Sequence, residues 1–209
     1  MANASLNGGF KPVRMRNGTP LPEIEIRETA NNYGTALYQG DILIPVSDGT
    51  VAIAAAANDG LLAYVATGFS YVINGKRERR PYLPANTTFS PTSVGSPTAP
   101  WVECMPLHPD LVLMVDGDAA APTPTVAGVV GLIGEDCDLV TGTGDNTSGQ
   151  SGMTLGLSTH STTVGNFRIV GVVGYPEGQF LGNDVTSSRA KFYVITNEGF
   201  FPPYRIAGV

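Results

Sequence analysis

The chain has 209 residues, 42% of them hydrophobic and only 14% charged, with a formal net charge of −6. That length supports a substantial core. Its acidic, weakly charged composition argues against a basic nucleic-acid-binding domain, and its 26 Gly and 16 Pro point to many turns rather than to disorder.

The opening MANASLNGGF has neither an apolar run nor a cationic flank, so no secretory signal is expected, and residues 1–20 read as an extended N-terminal arm. EIEIR (23–27) alternates Ile24 and Ile26 with charges, the pattern of a half-exposed strand. GDILIPV (40–46) and SDGTVAIAAAA (47–57) flank an Asp-Gly turn, a hairpin signal. The AAAA run at 54–57 is the best place for a helical turn. GLLAYVAT (60–67) and FSYVIN (69–74) follow, the second ending at Asn74-Gly75. Beyond them WVECM (101–105), DLVLMV (110–115), TVAGVVGLI (125–133), MTLGLS (153–158), NFRIVGVV (166–173) and KFYVIT (191–196) all carry strand signals. The pattern predicts an all-β barrel or sandwich of about ten to twelve short strands with long polar loops, spanning 21–209.

Three segments read as loops. Residues 84–100, PANTTFSPTSVGSPTAP, mark a possible subdivision, because the balance of charge changes from +1 over 1–98 to −7 over 99–209. Residues 117–125 form a short connection. TGTGDNTSGQSG (141–152) reads as a mobile surface loop, since it lacks the Gly-Lys-Ser/Thr ending and following helix of a phosphate-binding loop. The longest apolar-rich region, around 111–134, is broken by Asp116, Asp118 and two prolines, so no membrane span is expected.

Chemical constellations are sparse. Cys104 and Cys137, without a CxxC spacing, read as two reduced thiols. His108 in MPLHP reads as a turn histidine. His160 in GLSTHSTT has hydroxyls beside it, but no G-x-S-x-G elbow and no neighbouring carboxylate to orient the ring. No metal or other cofactor is expected. The carboxylates Asp116, Asp118, Glu135, Asp136 and Asp138 leave a β-barrel hydrolase open as an alternative.

The densest charge lies in GKRERRP (75–81), where Lys76, Arg77, Arg79 and Arg80 occupy four of five positions. Following Asn74-Gly75, the cations are expected to project from a loop. A solvated basic turn and a docking point for an acidic protein surface both fit. Nucleic acid fits less well, because Glu78 interrupts the run and the rest of the chain is acidic.

Several segments together resemble the head decoration, or cement, proteins of tailed phages. They are Gly8-Gly9-Phe10-Lys11-Pro12-Val13, Leu37-Tyr38-Gln39-Gly40-Asp41-Ile42-Leu43 with Pro45-Val46, Asn166-Phe167-Arg168-Ile169-Val170-Gly171-Val172, Asn183-Asp184 and Phe192-Tyr193-Val194-Ile195-Thr196-Asn197. The resemblance spans most of the chain outside 84–165. It implies a non-enzymatic virion protein, made in the host cytoplasm, that sits outside an expanded icosahedral shell. Its partners would be the major capsid protein and further copies of itself, as a trimer, with no nucleic acid or membrane. The expected contact residues are Phe10, Pro12, Arg14 and Arg16 in the arm and Lys76, Arg77, Arg79 and Arg80 in the basic turn. A tail or receptor-binding component is the other virion role, although the fibrous repeats common in such proteins are absent.

Overall fold

The computed structural model describes residues 8–55, 62–87, 99–119, 121–161, 165–175, 183–185 and 189–197. Within them the chain is nearly all β, as its composition and alternation predict, and its sheets are antiparallel. The strands are β1 (Lys11–Met15), β2 (Glu25–Glu28), β3 (Leu37–Tyr38), β4 (Ile42–Pro45), β5 (Val51–Ile53), β6 (Tyr64–Ile73) and β7 (Lys76–Arg80). After β8 (Tyr82–Leu83), β9 (Trp101–Pro106) and β10 (Leu111–Asp116) comes one short helix, α1 (Val126–Gly131). The chain continues through β11 (Asp136–Val140), β12 (Thr154–Ser161), β13 (Phe167–Val172) and β14 (Lys191–Thr196).

One six-stranded sheet runs β1-β10-β14-β13-β11-β12. A second runs β2-β9-β6-β4-β5, with β7 also paired to β6, and β3 and β8 form a small third sheet. Both large sheets curl. Thr29 bridges Val51 and Gly117 bridges Leu155, but no closed barrel forms, consistent with a sandwich. The larger core joins Leu113, Phe167 and Phe192 of the first sheet to Ile42, Val65 and Leu107 from the second sheet's side. A smaller core, with Leu43, Phe69 and Val102, fills the curl of the second sheet.

The chain exchanges strands between the sheets. β1 joins the later strands and β9 joins the earlier ones, so the segment 84–100 does not separate one sheet from the other. Within the expected N-terminal arm, residues 8–15 belong to the body of the fold, whereas residues 16–20 are exposed turn and irregular chain. Phe10 is fully buried and stacks on Phe167 at 4.5 Å, and residues 11–15 pair with β10.

TVAGVVGLI, expected as a strand, contains α1 instead. Thr125 caps it in extended backbone, its hydroxyl accepting from the Gly128 amide at 3.1 Å. At the AAAA run, Ala54 and Ala55 are not helical, and residues 56–57 lie outside the described ones.

The polar loop 141–152 is built in rather than loose. Asp145 accepts from the amides of Thr147 (2.8 Å) and Ser148 (3.3 Å), and the Tyr38 hydroxyl donates to Asn146 Oδ1 at 2.6 Å. Ser151 is fully buried, and its amide donates to the Gln39 carbonyl. There three segments meet. The Phe10 amide donates to the Gly40 carbonyl (2.9 Å), and a Cβ on Gly40 would lie 2.3 Å from the Gly8 carbonyl oxygen. Beneath them Asp41, 1% exposed, accepts from the Tyr38 amide at 2.7 Å and bonds Ser151. Burial pushes its carboxyl up to about 6, against those two hydrogen bonds.

Candidate functional site: a docking surface on two sheet edges

Asn74 and Gly75 both adopt left-handed backbone, φ 51° and 78°, which makes a two-residue hairpin turn. The chain therefore returns along β6, and KRERR is a strand rather than a loop. Ile73 pairs with Lys76, Val72 with Arg77, Ser70 with Arg79 and Phe69 with Arg80. Asn74-Gly75 signals the turn in the sequence, whereas the charges of KRERR mask the strand that follows it.

Pairing assigns each cation to a face. Phe69 and Tyr71 face the buried side, so Arg80 and Glu78 lie at the rim of the curl, where they pair with each other. Arg77 and Arg79 share the outward face with Ser70 and Val72. The Arg77 guanidinium sits 3.6 Å from the ring centroid of Trp101, the chain's one tryptophan, and donates to the carbonyls of Ser70 and Ala99, each at 3.0 Å. Burial lowers its pKa, with Glu28 acting the other way. Arg79 crosses Gly68 to pair with Glu103 on β9, and a Cβ on Gly68 would lie 2.8 Å from that carboxylate. Lys76, Arg79 and Arg80 are exposed, whereas Arg77 is half-buried and built into the face.

The opposite edge of the same sheet inverts the usual alternation. On β2, Arg27 lies 5.2 Å from the Tyr64 ring and pairs with Glu25. Ile24 and Ile26 are instead 51% and 60% exposed, with Ile26 opposite Glu103. The outward face thus presents Ile26, Glu103, Trp101, Ser70, Arg77 and Arg79 across four strands.

The second group of expected contacts follows β1, the edge of the first sheet. Arg14 and Arg16 are exposed, and Val13 beside them is 40% exposed. Arg14, Met15, Arg16 and Gly18 line an open concavity of about 500 Å³. Pro12 is half-buried and pairs with Leu113; proline suits an edge strand because its missing N–H removes no donor that the sheet interior needs. Phe10 offers no surface at all and is corrected to a core residue.

The chemical candidates are dispersed. His160 pairs through Nδ1 with Glu135, a partner 25 residues away that local sequence could not reveal. The Thr159 hydroxyl donates to the Gly156 carbonyl, and the buried Cys137 thiol is pushed up to about 12 by desolvation, so neither is an activated nucleophile. Asp136 is held below the usual carboxylate range by Arg168, whose Nε and Nη2 lie 2.7 and 3.1 Å from its oxygens. Asp118 accepts from the Leu157 amide, and burial raises the pKa of half-buried Asp116. His108 accepts from the Asp110 amide at 3.0 Å within a turn. No group of three or more His, Cys, Asp or Glu among the described residues is placed to hold a metal. An apolar groove of about 470 Å³ lies between Tyr38, Ile53, Ala55 and Thr141–Gly144.

The geometry therefore gathers the exposed basic residues of the first half onto two sheet edges, β1 and β7. No family model matches the chain, and no curated protein or solved structure matches it.

Proposed function

We propose that the chain is a structural virion protein that binds the outer surface of an expanded icosahedral phage capsid and stabilises it by bridging major capsid subunits. The observation that carries this reading is the placement of Arg14 on β1, of Arg16 just past its end, and of Lys76, Arg79 and Arg80 on β7. Each edge is exposed, backed by its sheet and suited to an acidic protein surface, that of the shell or of a neighbouring copy. The resemblance in the Gly8–Val13, Leu37–Leu43 with Pro45-Val46, Asn166–Val172, Asn183-Asp184 and Phe192–Asn197 segments supports the same role.

The mechanism is physical. Packaged genome pushes outward on the shell, and a clamp spanning subunits adds interface that must break before they part. Two linked patches bind with an avidity that neither reaches alone, provided that the shell spacing lets both engage. Preference for the expanded shell follows from that condition. Charge on the edges sets register and encounter rate more than affinity. The same charges oppose indiscriminate pairing of an open strand.

Co-sedimentation with expanded and unexpanded shells tests the reading, with Trp101 fluorescence as a second readout on the outward face. Saturable binding to the expanded form, weakened by reversing Lys76, Arg79 and Arg80 at low salt, is the expected result. Binding to neither form discards the proposal.

A further inference from the structure

The part of the second sheet that carries the basic strand is four strands wide, in the order β2-β9-β6-β7. All three pairings are antiparallel, so its outer strands, β2 and β7, run in opposite directions. Neither has a ladder partner on its outer side among the described residues, apart from the single Thr29–Val51 bridge beyond the end of β2. The two edges are also opposite in charge. β2 and the residues leading into it carry Glu23, Glu25 and Glu28 against Arg27, whereas β7 carries Lys76, Arg77, Arg79 and Arg80 against Glu78.

We propose that the β7 edge of one copy pairs with the β2 edge of a second copy of this chain, continuing the sheet from molecule to molecule. It deepens the clamp reading above by naming how neighbouring copies meet, and rests on that reading only for the setting. Because the outer strands run in opposite directions, a head-to-tail repeat makes the new ladder antiparallel without turning either molecule over. A continued sheet also keeps its faces in common. The exposed Ile24 and Ile26 of one copy then lie beside the aliphatic stems of Arg77 and Arg79 of the next, so both apolar cover and charge favour the contact. A contact between two different patches is heterologous, and its rotation decides between a ring and an open chain.

The test uses the free protein, so its result is separate from that of shell binding. Sedimentation velocity over a concentration series at low salt should show reversible self-association. The double variant Lys76→Glu/Arg80→Glu has two acidic edges, and Glu23→Lys/Glu28→Lys has two basic ones. Each alone should weaken association by about a hundredfold, the scale of placing like charges opposite each other. Mixing the two folded variants should restore it, because acidic and basic edges then meet again; circular dichroism checks that both fold. Wild-type protein that stays monomeric, a reversal without effect, or a mixture that fails to associate would each overturn the proposal. A monomer whose β7 reversal abolishes only shell binding would assign that edge to the shell and overturn it equally.

Discussion

Asp41 shows how one residue acquires properties that its neighbours in sequence do not announce. In Gln39-Gly40-Asp41 it looks like an ordinary turn aspartate, yet the meeting of residues 8–10, 38–41 and 149–153 buries it. Its carboxyl moves from 3.8 to about 6 in the folded state. A raised pKa means that the folded protein binds the proton more tightly than the unfolded chain does. The contribution to stability is therefore full below pH 3.8 and is lost as pH rises through 6. At about 1.4 kcal/mol per pH unit, that loss is of order 3 kcal/mol. Tyr33 and Tyr38, which feel Asp41 electrostatically, have pKa values raised from 10.0 and do not titrate in this window. Asp41→Asn removes the titration while its amide can still accept from Tyr38 and donate to Ser151. Urea unfolding from pH 4 to pH 7 should show the variant gaining on wild type by up to about 3 kcal/mol. An unchanged difference across that range would contradict the assignment.

At the scale of elements, local signals worked where a turn or an alternation was self-contained. Asn74-Gly75 fixed the end of β6, and the strand segments around β9, β10, β13 and β14 were legible from their apolar runs. They failed where a partner decided the outcome. KRERR has little intrinsic strand character and is extended because β6 offers it a ladder. The Val-rich 125–133 segment reads as a strand, but its Thr cap and a close approach make a helical turn. A Cβ on Gly128 would stand 2.3 Å from the Thr123 carbonyl oxygen. Helix propensity alone favours Gly128→Ala by about 1 kcal/mol, whereas forced overpacking costs about 1–3 kcal/mol. The clash should prevail, so Gly128→Ala should lower the midpoint of thermal unfolding. A raised midpoint would show that the 123–128 turn can relax.

For the molecule as a whole, the two thiols report on global opening. Cys104 and Cys137 are free and fully buried, one in each core, and desolvation raises each to about 12. A thiol so protonated and enclosed is inert in the folded state. A thiol-specific reagent should therefore label both at a common slow rate that follows global unfolding across denaturant concentrations. Fast labelling of one alone would show that its sheet opens independently and would break the single-unit picture drawn from the shared core. The same wholeness explains why residues 84–100, a plausible boundary by composition, do not part the fold: β1 and β9 each cross to the sheet built mainly from the other half of the chain.

By itself, the sequence determined the all-β class, most of the strands and the position of the basic cluster, because alternation, apolar runs and turn residues act over a few neighbours. Only the tertiary structure decided that Phe10 belongs to the core, that the 141–152 loop is anchored, that Ile26 faces outward and that β1 and β7 are edges. Each of these depends on which distant strand lies alongside, and a pairing between residues a hundred positions apart leaves no periodic trace in either one.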